Sequence, residues 1–307
     1  MLSPAEYKKK YLNLEVAFDD GPVTIQVRQY IEFKAARPWT LEADRLVDSA
    51  AGNLRDRQKK DPSFKLTLKV NGKPVSFTKA DVLSRSMHYA FEGKGSPEDC
   101  QVAAQMAVLQ KRIKKAELQS YCDKNMGLDC NGFVGNYLWY EYGVSGAKTW
   151  PGENPVVNYT IDEILHLTKP LSGLDTLVRG NLHVFGLLDG RNRIVPRDGA
   201  AHAHIGITEP GIFTDFSFLI NSIPFLDTVP VFEGVGGAGG YPSLWCVEST
   251  AGLGLYESWY VLSEVLDSKK KAIGVVDSKP GFKVFSVYRS CKHEKLNFTI
   301  GYLKPAA

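Results

Sequence analysis

Apolar and polar positions recur along the chain in several distinct rhythms. Residues 22–33, PVTIQVRQYIEF, are rich in Val, Ile, Tyr and Phe and predict a strand. Behind Thr40, a residue type suited to capping, Leu41, Leu46, Val47 and Leu54 lie at helical spacing and predict a helix over 40–58. In residues 64–77, FKLTLKVNGKPVSF, two alternating runs flank Asn71-Gly72. Both central residues tolerate positive φ, so a hairpin is expected. Residues 91–100 have the character of a linker ending at a helix start. Val102, Met106, Leu109, Ile113 and Leu118 then fall on one stripe and predict a single amphipathic helix over 98–120, with the stripe as core. Residues 133–142 continue as apolar helix. From about residue 177 the runs turn to strands, at 176–188, 201–208, 243–250 and 282–290.

These elements predict an α+β protein. A small α+β accessory region covers residues 1–95, and a larger domain covers 96–307, with an insertion at about 210–243 between two strands. The insertion ends in five glycines between Gly234 and Gly240. A phosphate-binding glycine loop requires a helix behind it, and here Tyr241-Pro242 and a strand follow. A lid or flap beside a site is the better expectation.

Composition narrows the class. The chain has 307 residues, 44% apolar and 23% charged, with material for a sizeable core. Net charge is +3 from 37 basic and 34 acidic residues, too balanced for a nucleic-acid binder. The clusters at Lys111–Lys115 and Lys269–Lys271 fit solvated faces. Five cysteines without a CxxC pair argue against a disulfide framework and a zinc site. No apolar core follows the basic residues of 1–16, so no signal peptide is expected there, and the compartment stays open. The longest apolar stretch, 211–226, is short and interrupted by Asp215 and Pro224, so no membrane span is expected.

The candidate chemistry centres on residues 126–138, MGLDCNGFVGNYL. Cys130 sits where loop-like sequence turns into an apolar run. A nucleophilic thiolate needs a lowered pKa and an exposed sulfur, and a helix N-terminus offers a dipole and backbone N–H groups for an oxyanion. Asp129 suits the capping position, and Asn131 follows the sulfur. The same pattern also fits a buried cysteine that begins a helix. Among six histidines, His88 and His293 have surface contexts, His166 suits a half-buried helix position and His183 a strand near the core. His202 and His204 share one face of a strand, because strand side chains alternate. A metal-binding or exposed strand edge is the other reading of that pair.

GLDCNGFVGNYL resembles the nucleophile segment of the NlpC/P60 cysteine peptidases, Asp-Cys-Ser-Gly-Phe/Leu-Val, with Asn131 where the family has Ser. RGNLHVF (179–185), HIGI (204–207), CVESTAGLGL (246–255) and KVFSVYRS (283–290) resemble the family's later strands, in the family's order. The resemblance covers roughly residues 115–290. It implies a papain-like core of helices packed on an antiparallel sheet, with Cys130 as nucleophile and His204 as base. Glu248 falls on the third position, where the family most often has His, and a carboxylate there would accept the imidazole Nδ1 proton and favour imidazolium beside thiolate. Ser249 and Glu257 are weaker substitutes, and a strand-end surface residue is the other reading of Glu248. Asp129, Asn131 and His202 stand as supporting residues. The resemblance implies a peptide-containing substrate, peptidoglycan stem peptide first, and requires no metal or organic cofactor. A cysteine amidase, deamidase or acyltransferase acting on a protein or lipid is an alternative, as is an inactive binding module on the same fold.

Overall fold

The computed structural model describes residues 1–31, 38–146, 153–178, 180–195, 203–215, 242–278 and 280–305. They form two compact units. One comprises Glu6–Asn136 with Ser249–Leu255, and the other comprises Met1–Ala5, Tyr137–Glu248 and Tyr256–Ala307. His202, the glycine run and residues 216–241 of the insertion lie outside the described residues.

The first unit holds α1 (Pro4–Leu12, from Glu6 onward), β1 (Leu14–Val16), β2 (Val23–Ile25), α2 (Pro38–Lys60), β3 (Leu66–Val70), β4 (Lys73–Phe77), α3 (Ala80–Phe91), α4 (Pro97–Leu109), α5 (Leu118–Asn125) and the start of α6 (Cys130–Tyr140). The expected hairpin is present: Val70 pairs with Lys73, and Asn71 and Gly72 both take positive φ, 50° and 73°. Helix α2 begins at Pro38, ahead of Thr40, so Thr40 is not its cap. Leu46, Val47 and Leu54 are buried as expected, while Leu41 faces solvent. Residues 96–136 pack in this unit together with most of the region expected to be accessory.

Two expectations are corrected here. The strand over 22–33 is only three residues long. Beyond Ile25 the backbone serves other partners: Val27 N–H bonds the Tyr11 carbonyl, and the Gln29 carbonyl accepts from Leu128 N–H. The single helix over 98–120 is two. Helix α4 starts as expected, with Pro97 behind a Ser96/Asp99 capping box. It ends at Leu109 because Lys111 turns left-handed (φ 57°), with Lys111 N–H on the Val108 carbonyl and Arg112 N–H on the Ala107 carbonyl. Those two bonds are the Schellman closure that glycine usually supplies, so no sequence signal marks the break.

The other unit contains α7 (Ile161–His166) and β5 (Lys169–Pro170), then β6 (Leu182–Leu187), β7 (Ile205–Asp215), β8 (Pro242–Thr250), β9 (Gly254–Glu264), β10 (Phe285–Arg289) and β11 (Glu294–Leu303). The α+β class expected from the sequence holds. The sheet, expected as a layer under helices, closes instead: strands run in the order β10-β9-β8-β7-β6-β11, β10 also pairs with β11, and β5 adds to β11. Closure leaves no free edge among these six strands. Alternation points Phe185, Leu244, Cys246, Tyr260, Leu262, Phe285, Val287, Phe298 and Ile300 into one buried cluster. On the outer side Gly186 admits Ile161 and Leu165 of α7, which a Cβ there would meet. No helix among the described residues is long and apolar enough to cross a membrane.

His183 lies in β6, buried as expected. Its backbone N–H bonds the Thr208 hydroxyl at 3.0 Å, and its Nε2 has no partner among the described residues. His166 differs from expectation, being exposed at the end of α7 beside Asp162. Burial pushes the His183 pKa down to about 4. Below pH ~6.5 the unfolded chain takes up a proton that folded His183 refuses, so stability is lost as pH falls from ~6.5 toward that folded value. In urea titrations the wild type should lose about 2–3 kcal/mol more than His183→Gln between pH 7 and pH 4.5. Equal losses in the two proteins would contradict a buried neutral His183.

Candidate active site

The segment before Cys130 is fixed by its backbone. Leu128 N–H bonds the Gln29 carbonyl, the Leu128 carbonyl accepts from Ile31 N–H and from the Ser249 hydroxyl at 2.7 Å, and Asp129 N–H bonds the Gly93 carbonyl. Gly127 and Gly132 allow this approach, since a Cβ at either would collide with the Gln29 or Gly93 carbonyl. Asp129 caps α6 as expected, with Oδ1 accepting the Gly132 N–H at 2.5 Å. Its Oδ2 pairs with Lys94 Nζ at 2.5 Å, and both side chains are buried. Lys94 is held from its own backbone too, because its carbonyl accepts from Asn136 Nδ2 at 2.9 Å.

Cys130 is therefore the first residue of an anchored helix. The sequence reading asks for an exposed sulfur, but Cys130 is only 6% exposed. Its Sγ lies 3.6 Å from Asn131 Oδ1, so the buried Asn131 presents an acceptor to the thiol. Burial pushes the thiols of Cys100 and Cys246 well up, that of Cys122 up to about 12, and that of Cys291 up as well. All five are free.

In the other unit, His204 immediately precedes β7, and its Nε2 lies 2.5 Å from Glu248 Oε2 on β8. Glu248 is fully buried, which rules out the strand-end surface reading. The same oxygen accepts from Arg289 Nη2 at 2.6 Å and from the Tyr260 hydroxyl at 2.8 Å. Oε1 accepts from the Ser258 hydroxyl at 3.1 Å and from the Cys291 thiol at 3.3 Å. Arg289 is also tied to Glu294 at 2.5 Å through Nη1, and its guanidinium lies over the Tyr260 ring. Gly206 keeps this corner open: a Cβ there would press on Cys246 Sγ and reach the Glu248 side chain.

The charges follow from these contacts. Burial works against an ionised Glu248, but His204, Arg289 and Tyr260 outweigh it and hold the carboxyl below the usual carboxylate range. Burial pushes His204 down, with Arg289 and Lys292 adding to it against the pull of Glu248. His204 is thus a neutral imidazole. An ionised carboxylate only accepts, so Nε2 carries the proton and Nδ1 carries the lone pair. Two expectations change accordingly. Glu248 binds Nε2 where Nδ1 was expected, and the resting site favours neutral imidazole where imidazolium was expected. Burial and the Glu248 charge push the Tyr260 phenol up and keep it a donor.

The structure brings together His204 with Glu248 in one unit, and Cys130 with Asp129 and Asn131 in the other. The substitutes for Glu248 are engaged elsewhere, Ser249 on the Leu128 carbonyl and Glu257 on Trp245 Nε1 at 2.8 Å. Arg289, Tyr260, Ser258, Cys291 and Lys94 were not anticipated. Arg289 could have been: it shares the inward face of Phe285 and Val287, and a cation there demands a buried anion. Among the described residues no cluster of His, Cys, Asp and Glu is arranged to hold a metal ion. Set against protein-family models, curated proteins and solved structures, the chain has no match in any of the three.

Replacing Glu248 by Gln would leave the Arg289 guanidinium buried without its anion. It should cost about 3–5 kcal/mol in urea unfolding at pH 7. The carboxylate's stabilisation is fully present above pH ~4.3 and is lost as pH falls below that, so the gap between wild type and variant should narrow in acid. A gap that does not change with pH would contradict an ionised Glu248.

Proposed function

We propose that the chain is a cysteine hydrolase of amide bonds built on a papain-like core related to the NlpC/P60 peptidases, with Cys130 as nucleophile, His204 as base and Glu248 as the residue that orients it. The observation that carries the proposal is the buried His204–Glu248 contact of 2.5 Å, backed by Arg289. It leaves one imidazole nitrogen basic and the ring fixed, which is what a general base requires. The Asp129-capped start of α6 supports the nucleophile assignment, because a helix N-terminus favours a thiolate and the oxyanion that forms beside it.

In this scheme His204 Nδ1 takes the Cys130 proton as the sulfur attacks the amide carbonyl carbon. The carbonyl π electrons move to oxygen, and the tetrahedral oxyanion is stabilised by the backbone N–H end of α6. Collapse breaks the C–N bond, His204 returns the proton to the leaving amine, and a thioester remains. His204 then deprotonates a water that attacks the thioester, releasing the carboxylic acid and restoring the thiol. Throughout, Glu248 holds the Nε2 proton and stabilises the transient imidazolium, while Arg289 keeps Glu248 anionic. The substrate proposed first is the peptidoglycan stem peptide.

Purified sacculi incubated with wild-type protein should release muropeptides whose new ends identify the cut amide. Cys130→Ala and His204→Ala should each reduce release by at least about a hundredfold, the scale of a lost general base. Release by Cys130→Ala at the wild-type rate would exclude the thiol mechanism. If the wild type releases nothing yet forms a Cys130-dependent thioester with other acyl donors, the substrate assignment fails and the chemistry stands.

A further inference from the structure

A cleft of about 580 Å³ opens in the first unit, and none of the candidate catalytic residues lines it. Its floor is apolar: Leu54 and Met106 are buried, and Leu66 is half-buried. Its mouth carries Leu109, the last residue of α4, which the Schellman turn leaves 53% exposed although it belongs to the helix's apolar stripe. One wall is cationic. Arg57 and Lys60 stand one turn apart at the end of α2, and neither has an ion-pair partner among the described residues. Asp56, the acidic group of the lining, is engaged by Lys59 at 3.0 Å. Arg57 is held over the Phe64 ring, 5.1 Å from its centroid, which leaves the N–H edges of the guanidinium for an acceptor.

The volume lies within the ordinary range of ligand pockets, ~300–1,000 Å³, and an apolar floor beside convergent polar groups is their usual construction. The geometry points to a binding site for an amphipathic carboxylate, its apolar body against Leu54, Leu66, Met106 and Leu109 and its carboxylate between Arg57 and Lys60. The charge decides the class: a cationic or neutral amphiphile meets the same floor but leaves both cations unmatched. A free acyl acid and a peptide's C-terminal residue with an apolar side chain share this chemistry.

The test is calorimetric titration of the full chain with octanoate, octanol and octyltrimethylammonium at one ionic strength. Octanoate should bind at a single class of site, octanol at least about tenfold more weakly, and the cation without saturation. Octanoate affinity should fall as salt is raised. The variants Arg57→Gln and Lys60→Gln, exposed and outside the core, should each weaken octanoate severalfold at unchanged Tm, and the uncharged Leu109→Asn should weaken it without altering the preference for anion over alcohol. N-acetyl-Leu-Leu against its amide distinguishes the sources: the free dipeptide binding more tightly than octanoate assigns the site to chain ends, and octanoate binding more tightly assigns it to acyl acids. Equal binding of octanoate and the cation, no saturable octanoate binding, or affinity untouched by both charge variants would overturn the proposal.

Discussion

A carboxylate with no exposed surface is the constraint around which one unit is organised. Removing an ion from water costs several kcal/mol, and only excellent geometry with additional hydrogen bonds offsets it. Glu248 receives those bonds from His204, Arg289, Tyr260, Ser258 and Cys291. These residues come from β9, from β10 and its following turn, and from the residue that leads into β7, and a curled sheet brings them to one point. Closure of the barrel and satisfaction of Glu248 are therefore one structural fact. The aromatic interior beneath, Phe185 edge-on to Tyr260 and Phe298, excludes water and strengthens each charge contact above it.

The other unit solves a similar problem at the start of α6. Lys94 and Asp129 are a buried pair, and Asp129 spends its second oxygen on the helix cap. The approach of the Gly93 carbonyl to Gly132 completes the clamp. The position of Cys130 thus depends on residues from the turn after α3, from the irregular segment after β2 and from Ser249. The region before residue 96 supplies the backbone that holds the start of α6, through Gln29, Ile31 and Gly93. The neutral state of His204 follows first from its burial, which outweighs the pull of the Glu248 carboxylate, with Arg289 and Lys292 adding to it.

Much of this was legible in the sequence, for local reasons. The hairpin at Asn71-Gly72, the helix start at the end of 91–100, the α6 start behind Asp129 and the strand character within 176–188 and 243–250 all rest on short-range signals. What escaped has long-range causes. The break after Leu109 uses a left-handed lysine where glycine would have announced it. The strand over 22–33 dissolved because its carbonyls serve Leu128, about a hundred residues away in the chain. Strands β9 and β11 complete the barrel only through pairings that no local pattern encodes. In the candidate site, His204 and Glu248 could be named from motif context, but the nitrogen that Glu248 binds could not. Arg289 and Tyr260, which share the Glu248 oxygen with that nitrogen, take up these roles only once four strands have curled together.

The central claim is that a neutral, oriented His204 activates Cys130. The direct test is the pH dependence of iodoacetamide labelling at each cysteine, read by peptide mass spectrometry in the wild type and in His204→Ala. The account predicts that Cys130 labels well below pH 8, outpaces Cys100, Cys122, Cys246 and Cys291, and slows in the variant. A Cys130 that titrates as an ordinary thiol, near pH ~8.5, with no response to loss of His204, would contradict it.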